Sequence, residues 1–321
     1  MKIGLKYKNE EHIFDECISA GVPFLKYPIL EKEGLVEHGI STRLGGVSEG
    51  FLGSMNLSYT RGDDPAHVDE NYRRMAAAIG VKPEHMVCTH QTHTTNVRIV
   101  TREDAGKGVT REKDYTDVDG LITNVPGICL VTFYADCVPL LFLDPVKKVV
   151  ASSHSGWRGT VNRMGQVTVE KMQKEFSCDP KNILACVGPS ICQECYEVSS
   201  DVAEEFQNAF AGMNGTETLL YQKPEQKAES KYQLDLWLAN QLWLTDAGIT
   251  PEHLEVTNVC TAHNPAYLFS HRKTNGKRGN LGAFLCLKEN GQLEAATQTK
   301  ERNRLAREIQ MVIDNAHKAG I

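Results

Sequence analysis

Two apolar runs, residues 140–143 and 149–153, flank the turn DPVK at residues 144–147 and predict an antiparallel β-hairpin. When the middle two residues of this turn form its tip, Cys137 lies directly opposite His154. Directly opposed residues on antiparallel strands bring their Cβ atoms to about 4.5–5.5 Å of each other. The hairpin therefore predicts a thiol and an imidazole that share a metal ion or a proton. A one-residue slip in register would turn one of them to the other face.

Helical and strand patterns follow one another irregularly along the rest of the chain. Asp64 is expected to cap a helix over residues 66–79, with Pro65 in its first turn and Gly80 at its end. Further helices are predicted at residues 160–176, 198–210 and 234–247, and further strands at residues 96–100, 120–123, 128–134, 183–187 and 254–260. This mixture without strict βαβ alternation predicts an α+β fold rather than a doubly wound sheet.

Length and charge narrow the class of protein. The chain has 321 residues and a formal net charge of -6, which argues against a general nucleic-acid binder with a basic face. No apolar run approaches the roughly 20 residues that span a bilayer, and the first residues lack the apolar stretch of a secretory signal. We therefore expect a cytoplasmic protein that binds neither nucleic acid nor membranes.

The ten cysteines are expected to be reduced thiols rather than a disulfide framework. Cys260 lies in an apolar strand-like run, for which core packing is the expected role. Cys192 and Cys195 form a C-x-x-C pair, CQEC. A second pair at zinc-finger spacing and a thioredoxin-like context are both missing. A structural or incidental role is therefore predicted over a redox role.

His93, Cys137 and His154 each end a strand-like run beside small or polar residues. Two imidazoles and one thiolate suit zinc or copper and leave one coordination position open, which is typical of a catalytic metal site. Spacing alone does not bring His93 to the other two residues, and His90 is an alternative. A Cys nucleophile activated by His remains a second interpretation of the Cys–His pair.

The segment HSGWRGT leads from His154 directly into a predicted helix, whose first turn offers free backbone N–H groups to an anion. Arg158 can add a bidentate clamp, and the N–H of Gly159 can contribute. Thr160 is equally well explained as a helix N-cap. Arg43, in the loop RLGG, is a second candidate contact for phosphate, with a surface ion pair as the alternative.

Several segments together resemble one known family: STRLGGVSEGFLGSMNLSYTRGDD, HQTHTTNV, DVDGLIT, FYADCVPLLFLD, HSGWRGT, VGPSICQECYEV and CTAHNPAYLFSHR. They are similar to the multicopper-polyphenol-oxidase-like family, also called laccase-domain or YfiH/YlmD-like proteins and, in bacteria, peptidoglycan editing factor. The resemblance runs in order from Gly39 to Leu287. It implies a β-sandwich of mixed sheets flanked by helices, similar to the catalytic domain of cytotoxic necrotizing factor.

The resemblance also implies an activity and a ligand set. Family members are purine nucleoside phosphorylases, which convert inosine, guanosine, adenosine or methylthioadenosine and phosphate to the base and ribose-1-phosphate. They also have zinc-dependent adenosine deaminase activity. By motif position, the metal ligands are His93, Cys137 and His154, with zinc as the expected metal and copper as the alternative. Asp136 is expected to orient a ligand or take a proton, with a turn role as its alternative, and Arg158 to act beside it.

One departure from the family pattern concerns an anion contact. After the F-S-x-R segment the family often has Thr-Gly-Arg, where this chain has KRGN at residues 277–280. Arg272 or Arg278 is a possible substitute for the missing arginine.

We expect the chain to divide into three regions: an N-terminal extension at residues 1–35, a laccase-like catalytic domain at residues 36–290 and a helical C-terminal tail at residues 291–321.

Two other functions are weighed against the phosphorylase. The first is a Cys–His thiol hydrolase or amidase that acts in peptidoglycan precursor editing. The second is a copper-dependent polyphenol oxidase, which is discounted because the eleven histidines include no H-x-H pair. The expected partners are purine nucleosides and phosphate, and the chain is expected to be a monomer or a dimer.

Overall fold

The computed structural model describes residues 4–224 and 230–289, and its elements are mixed α and β as predicted. The helices are α1 Pro28–Glu33, α2 Pro65–Ile79, α3 Trp157–Val161, α4 Met164–Phe176, α5 Ser200–Ala209 and α6 Leu236–Asp246. The strands are β1 Asp15–Ser19, β2 Val22–Lys26, β3 Val36–Ser41, β4 Met86–Cys88, β5 Val97–Ile99, β6 Gly120–Thr123, β7 Cys129–Tyr134, β8 Val138–Asp144, β9 Val149–Ser155, β10 Leu184–Val187, β11 Glu197–Ser199, β12 Leu220–Tyr221, β13 Lys231–Leu234, β14 Leu254–Val256 and β15 Leu281–Leu287. Among the described helices, none is both long and apolar enough to cross a membrane.

Two mixed six-stranded sheets pack against each other. Their strand orders are β1-β2-β3-β15-β7-β4 and β14-β10-β8-β9-β6-β5, and a small third sheet has the order β11-β13-β12. A buried hydrogen bond of 2.6 Å joins the hydroxyls of Thr132 on β7 and Ser152 on β9, across the two large sheets. This arrangement confirms the predicted α+β class.

Strand β8 is buried on both faces, which explains its unbroken apolar sequence. Leu141 and Leu143 pack in the core between the two large sheets. Leu140 and Phe142 point the other way and pack with residues of α4 and α6. Helix α2 covers the outer face of the first sheet with its own buried stripe. Every layer of the protein thus buries apolar surface against the next, the main source of its stability.

The predicted hairpin forms, but its predicted register is wrong. Pro139 pairs with His154, and four residues rather than two lie between the paired Asp144 and Val149. The Asp144 carboxylate accepts the backbone N–H groups of Val146 and of the next residue, both at 2.8 Å, and this side-chain turn lengthens the loop. Because the shift is two residues, Cys137 stays on the face of His154 as a diagonal neighbour.

The predicted helix after Pro65 is confirmed, and the one at residues 160–176 is corrected. Asp64 caps α2 by accepting the Ala66 N–H at 2.9 Å. Residues 160–176 form two helices, α3 and α4, because Arg163 has a φ of 65°. Thr160 is not an N-cap, since it lies inside α3 and Gly156 takes the cap position.

The first sheet continues across the predicted domain boundary at residue 36. Strand β2 pairs with β3, and Leu25 and Leu30 are fully buried in the core between the sheets. Residues 15–33 therefore share one hydrophobic core with the strands that follow. The predicted C-terminal helical tail, residues 291–321, lies outside the described residues.

Candidate metal and anion site

Three predicted site residues meet at one end of strands β8 and β9. Cys137 immediately precedes β8, His154 lies on β9, and His93 lies in the loop between β4 and β5. Their potential ligand atoms are all within 4.8 Å of one another, and the ring centroids of His93 and His154 are 4.9 Å apart. In the described part of the chain, His93 and not His90 belongs to this group.

The Asp119 carboxylate holds the ring of His154 and the backbone of His93 in place. Its Oδ1 lies 2.8 Å from Nδ1 of His154 and accepts the backbone N–H of His93 at 3.1 Å. Its Oδ2 accepts the backbone N–H groups of Thr92 and Thr94 at 2.9 and 3.0 Å. Asp119 is fully buried directly before β6. One buried charge thus shapes the turn that carries His93 and orients the ring of His154.

These contacts set the charge of the site. Burial opposes ionisation of Asp119, but its hydrogen bonds from His154 and from the turn outweigh burial and lower its pKa. Burial also opposes a charge on His154, but the charge of Cys137 and the Asp119 hydrogen bond raise its pKa to about 9. At His93, burial and then the charge of His154 lower the pKa. These opposite shifts make His154 the more basic of the two imidazoles.

Asp136, a predicted catalytic residue, is held by the loops around it. Its φ is 90°, a conformation that few residues other than glycine adopt. Its carboxylate accepts the Thr261 hydroxyl and the Arg272 backbone N–H, both at 2.6 Å, and its carbonyl accepts the Ile191 N–H at 3.0 Å. These bonds position the backbone that presents Cys137, whereas the proton-transfer role of Asp136 stays a prediction.

The segment after His154 turns tightly past the three-residue group. A Cβ on Gly156 would lie 2.7 Å from Nδ1 of His93 and 3.1 Å from Sγ of Cys137, so the site requires glycine there. Arg158 is exposed, with its guanidinium 4.3 Å from the ring centroid of Trp157. Gly159 is buried in the first turn of α3. The anion-binding roles of Arg158 and Gly159 stay predictions.

The group opens into a cavity of about 290 Å³. Its lining combines the three site residues with aromatic and cationic side chains that come from distant parts of the chain. These are Tyr59, Arg61, Tyr72, His90, Lys113, Phe133, Tyr134 and Arg278. The volume is near the lower end of the range for small-molecule sites, about 300–1,000 Å³.

Two arginines of the lining have unpaired donors. The Nε atoms of Arg61 and Arg278 are buried and have no hydrogen-bond partner among the described residues. Burial and then the charge of Arg61 lower the pKa of Arg278 to about 10. The sequence points to Arg278 only as a substitute at the KRGN departure, and no local signal marks Arg61 within the segment SYTRGDD.

Arg43, the other predicted phosphate contact, is engaged elsewhere. Its guanidinium donates to the carbonyls of Gly53 and Pro265, both at 2.8 Å, and lies 4.7 Å from the ring centroid of Phe269. Arg43 is not among the residues that line the cavity. Its phosphate-binding role stays a prediction, and its observed contacts stabilise a loop.

Substituting Asp119 tests its hold on the metal ligands. We expect Asp119→Asn to weaken zinc affinity about 10- to 100-fold, since loss of a partner behind a metal-bound histidine has this effect. Competition with a chromogenic chelator measures the affinity. Asp117→Asn is the matched control, because Asp117 accepts the Thr92 hydroxyl at 2.8 Å without touching His154. Equal affinities of the two variants would refute the role of Asp119.

Comparison with known proteins identifies the family. The sequence model of a protein family described as multi-copper polyphenol oxidoreductase laccase matches residues 37–288. The chain is 35% identical over 255 residues to purine nucleoside phosphorylase YlmD of Bacillus subtilis, covering 78% of this chain and 88% of that protein. It is 32% identical over 220 residues to adenosine deaminase RL5 from an unknown prokaryotic organism, covering 68% and 81%.

A solved structure shares the fold. The crystal structure of YlmD from Geobacillus stearothermophilus aligns with a TM-score of 0.78 at 31% sequence identity. The alignment covers 87% of this chain and 100% of that one. The resemblance inferred from sequence segments is therefore confirmed, and this chain belongs to the multi-copper polyphenol oxidoreductase laccase family.

Proposed function

We propose that this protein is a purine nucleoside phosphorylase that also deaminates adenosine at the same zinc-dependent site. The observation that carries the proposal is one cavity whose wall includes the group His93, Cys137 and His154 and also two arginines with buried Nε atoms. Relatives named purine nucleoside phosphorylase and adenosine deaminase support the same choice. The substrates would be a purine nucleoside with phosphate, or adenosine with water.

The ligand set fits one metal ion. Two imidazoles and a thiolate within 4.8 Å of one another match the three-ligand pattern of catalytic zinc, with copper as the alternative. Asp119 occupies Nδ1 of His154 and leaves Nε2 for the metal. Zinc on such ligands acts as a Lewis acid and brings the pKa of water to about 7. That chemistry suits deamination, in which water adds to C6 of adenine and ammonia leaves.

The two arginines supply what phosphorolysis needs. Each has a buried Nε that finds no hydrogen-bond partner within residues 4–224 and 230–289, and the like charges of the two arginines repel each other in one cavity. A phosphate ion would satisfy both donors and neutralise both charges, since guanidinium forms strong charge-assisted hydrogen bonds with phosphate oxygens. Held there, phosphate forms its bond to C1′ of the ribose as the C1′–N9 bond breaks and the purine leaves. We therefore assign phosphate to Arg61 and Arg278 in preference to Arg43 and Arg158.

The aromatic lining suits the base. Tyr59 and Phe133 are half-buried and contribute to the cavity wall. Gln91 fixes the backbone of Phe133, donating to its carbonyl at 2.8 Å and accepting its N–H at 2.7 Å. An aromatic ring on a backbone that is fixed in this way offers a stacking surface for a purine.

A thiol hydrolase is the second candidate, because one specific arrangement favours it. Asp119, His154 and Cys137 follow one another in the order of an acid, a base and a thiol nucleophile. In that mechanism His154 takes the Cys137 proton, the sulfur bonds to the amide carbonyl carbon, the C–N bond breaks and the amine leaves with that proton. His93 is not required for this step. Accumulation of an acyl-enzyme on Cys137 with peptidoglycan precursor amides would favour the hydrolase.

Separate substitutions of His93 and His90 distinguish the metal-dependent phosphorylase from the thiol hydrolase. We expect His93→Ala to remove one equivalent of zinc and to lower kcat/KM for inosine and adenosine about 100-fold or more, since the Lewis acid is lost. Elemental analysis and nucleoside assays with and without phosphate measure both effects. His90→Ala is the matched control and should keep the zinc. Full phosphorolysis by zinc-free His93→Ala would contradict the metal mechanism.

Arginine variants test where phosphate binds. We expect Arg61→Ala and Arg278→Ala to raise the KM for phosphate about 10- to 100-fold, because a hydrogen bond to a charged group contributes about 1.5–3 kcal/mol. Adenosine deamination uses water in place of phosphate and should change far less. Arg43→Ala and Arg158→Ala are the comparison variants. A larger rise in the phosphate KM for that pair would overturn the assignment to Arg61 and Arg278.

A further inference from the structure

A second group of metal-binding side chains lies apart from the cavity. Strands β10 and β14 are parallel neighbours at the edge of the second sheet, so their carboxyl ends lie side by side. The loop after β10 carries Cys192 and Cys195, and the loop after β14 carries Cys260 and His263. The potential ligand atoms of these four residues are all within 4.8 Å of one another. The fold thus brings together three thiols and one imidazole from distant parts of the sequence.

The two loops repeat one local pattern. Each has a cysteine followed three residues later by a second potential ligand, as C-x-x-C and as C-x-x-H. In the first loop the backbone N–H of Cys195 donates to the carbonyl of Cys192 at 3.0 Å. The Cys260 sulfur accepts the backbone N–H of Cys192 at 3.3 Å, and this bond joins the two loops. A backbone N–H directed at sulfur stabilises a thiolate, the form that binds metal.

The imidazole completes the set. Nε2 of His263 lies 3.2 Å from Sγ of Cys195, and its Nδ1 lies 3.9 Å from Sγ of Cys192. All ten cysteines are free thiols. A disulfide would use two of these sulfurs and leave a thiol and the imidazole unexplained. Core packing accounts for buried Cys192 and Cys260, but not for an exposed histidine directed at two sulfurs.

We propose that Cys192, Cys195, Cys260 and His263 bind a second zinc ion, which has a structural role. Three thiolates and one imidazole form a complete tetrahedral zinc set, whereas the group at Cys137 has three ligands and an open position. The C-x-x-H pair supplies the second pair of zinc ligands that the C-x-x-C pair needs. The sequence does not reveal this pair, because Cys260 lies in an apolar run that indicates core packing.

The ion would also stabilise the backbone beside the cavity. Ile191, next to Cys192, donates its N–H to the carbonyl of Asp136 at 3.0 Å. Thr261, next to Cys260, donates its hydroxyl to the Asp136 carboxylate at 2.6 Å. Both loops that carry the second group therefore form hydrogen bonds with Asp136, which directly precedes Cys137. Loss of this zinc should loosen that contact without removing any ligand of the first site.

Zinc content and a cobalt spectrum test the proposal. In the full-length protein purified with its metal, we expect Cys195→Ser and His263→Asn each to contain one zinc equivalent less than the wild type. Cobalt-substituted wild type should show intense thiolate-to-cobalt charge-transfer bands that weaken in both variants. Cys17→Ser, which alters a half-buried cysteine outside the group, is the matched control and should match the wild type in both measurements.

The zinc content of the second site can be measured independently of the first site. Cys137→Ala should lose its own equivalent and keep the one that Cys195→Ser lacks, whichever reaction the cavity catalyses. The His263 side chain is exposed, so His263→Asn keeps the test valid if Cys195→Ser, at a half-buried position, fails to fold. Unchanged zinc content and an unchanged cobalt spectrum in Cys195→Ser and His263→Asn would overturn the second site.

Discussion

The buried carboxylate of Asp119 is the interaction on which the site depends. It accepts three consecutive backbone N–H groups from residues 92–94 and also binds the ring of His154. A turn and a strand that are distant in sequence are thereby joined through one charge. A buried carboxylate is stable only with such a full set of donors. The same bonds that make its burial tolerable therefore also place two of the three potential metal ligands.

The sandwich supplies rigid positions, and the loops supply the chemistry. Strands β8 and β9 are buried on both faces, so Cys137 and His154 are anchored to fully buried strands. The cavity residues Arg61 and Arg278 come from loops that the sequence separates widely. Aromatic walls, a metal-ligand group and two arginines line one cavity, and this combination supports the proposed pairing of a purine nucleoside with phosphate.

Local signals in the sequence predicted local structure well. The cap at Asp64, the stop at Gly80 and the apolar run of β8 each act within a few residues, and all three are confirmed. The hairpin register was wrong because the Asp144 side chain builds a longer turn. The sequence around Asp144 is equally compatible with this side-chain turn and with a two-residue turn.

Long-range contacts were beyond local signals. His93 joins the predicted site through family resemblance, and no local signal marks Asp119 and Arg61, because their roles depend on partners far along the chain.

Anomalous diffraction at the zinc edge from crystals soaked in phosphate most directly tests the claim that one cavity binds both zinc and phosphate. We predict a zinc peak bonded to His93, Cys137 and His154, with phosphate between Arg61 and Arg278. No metal at the three residues, or phosphate on Arg43 or Arg158 instead, would contradict it.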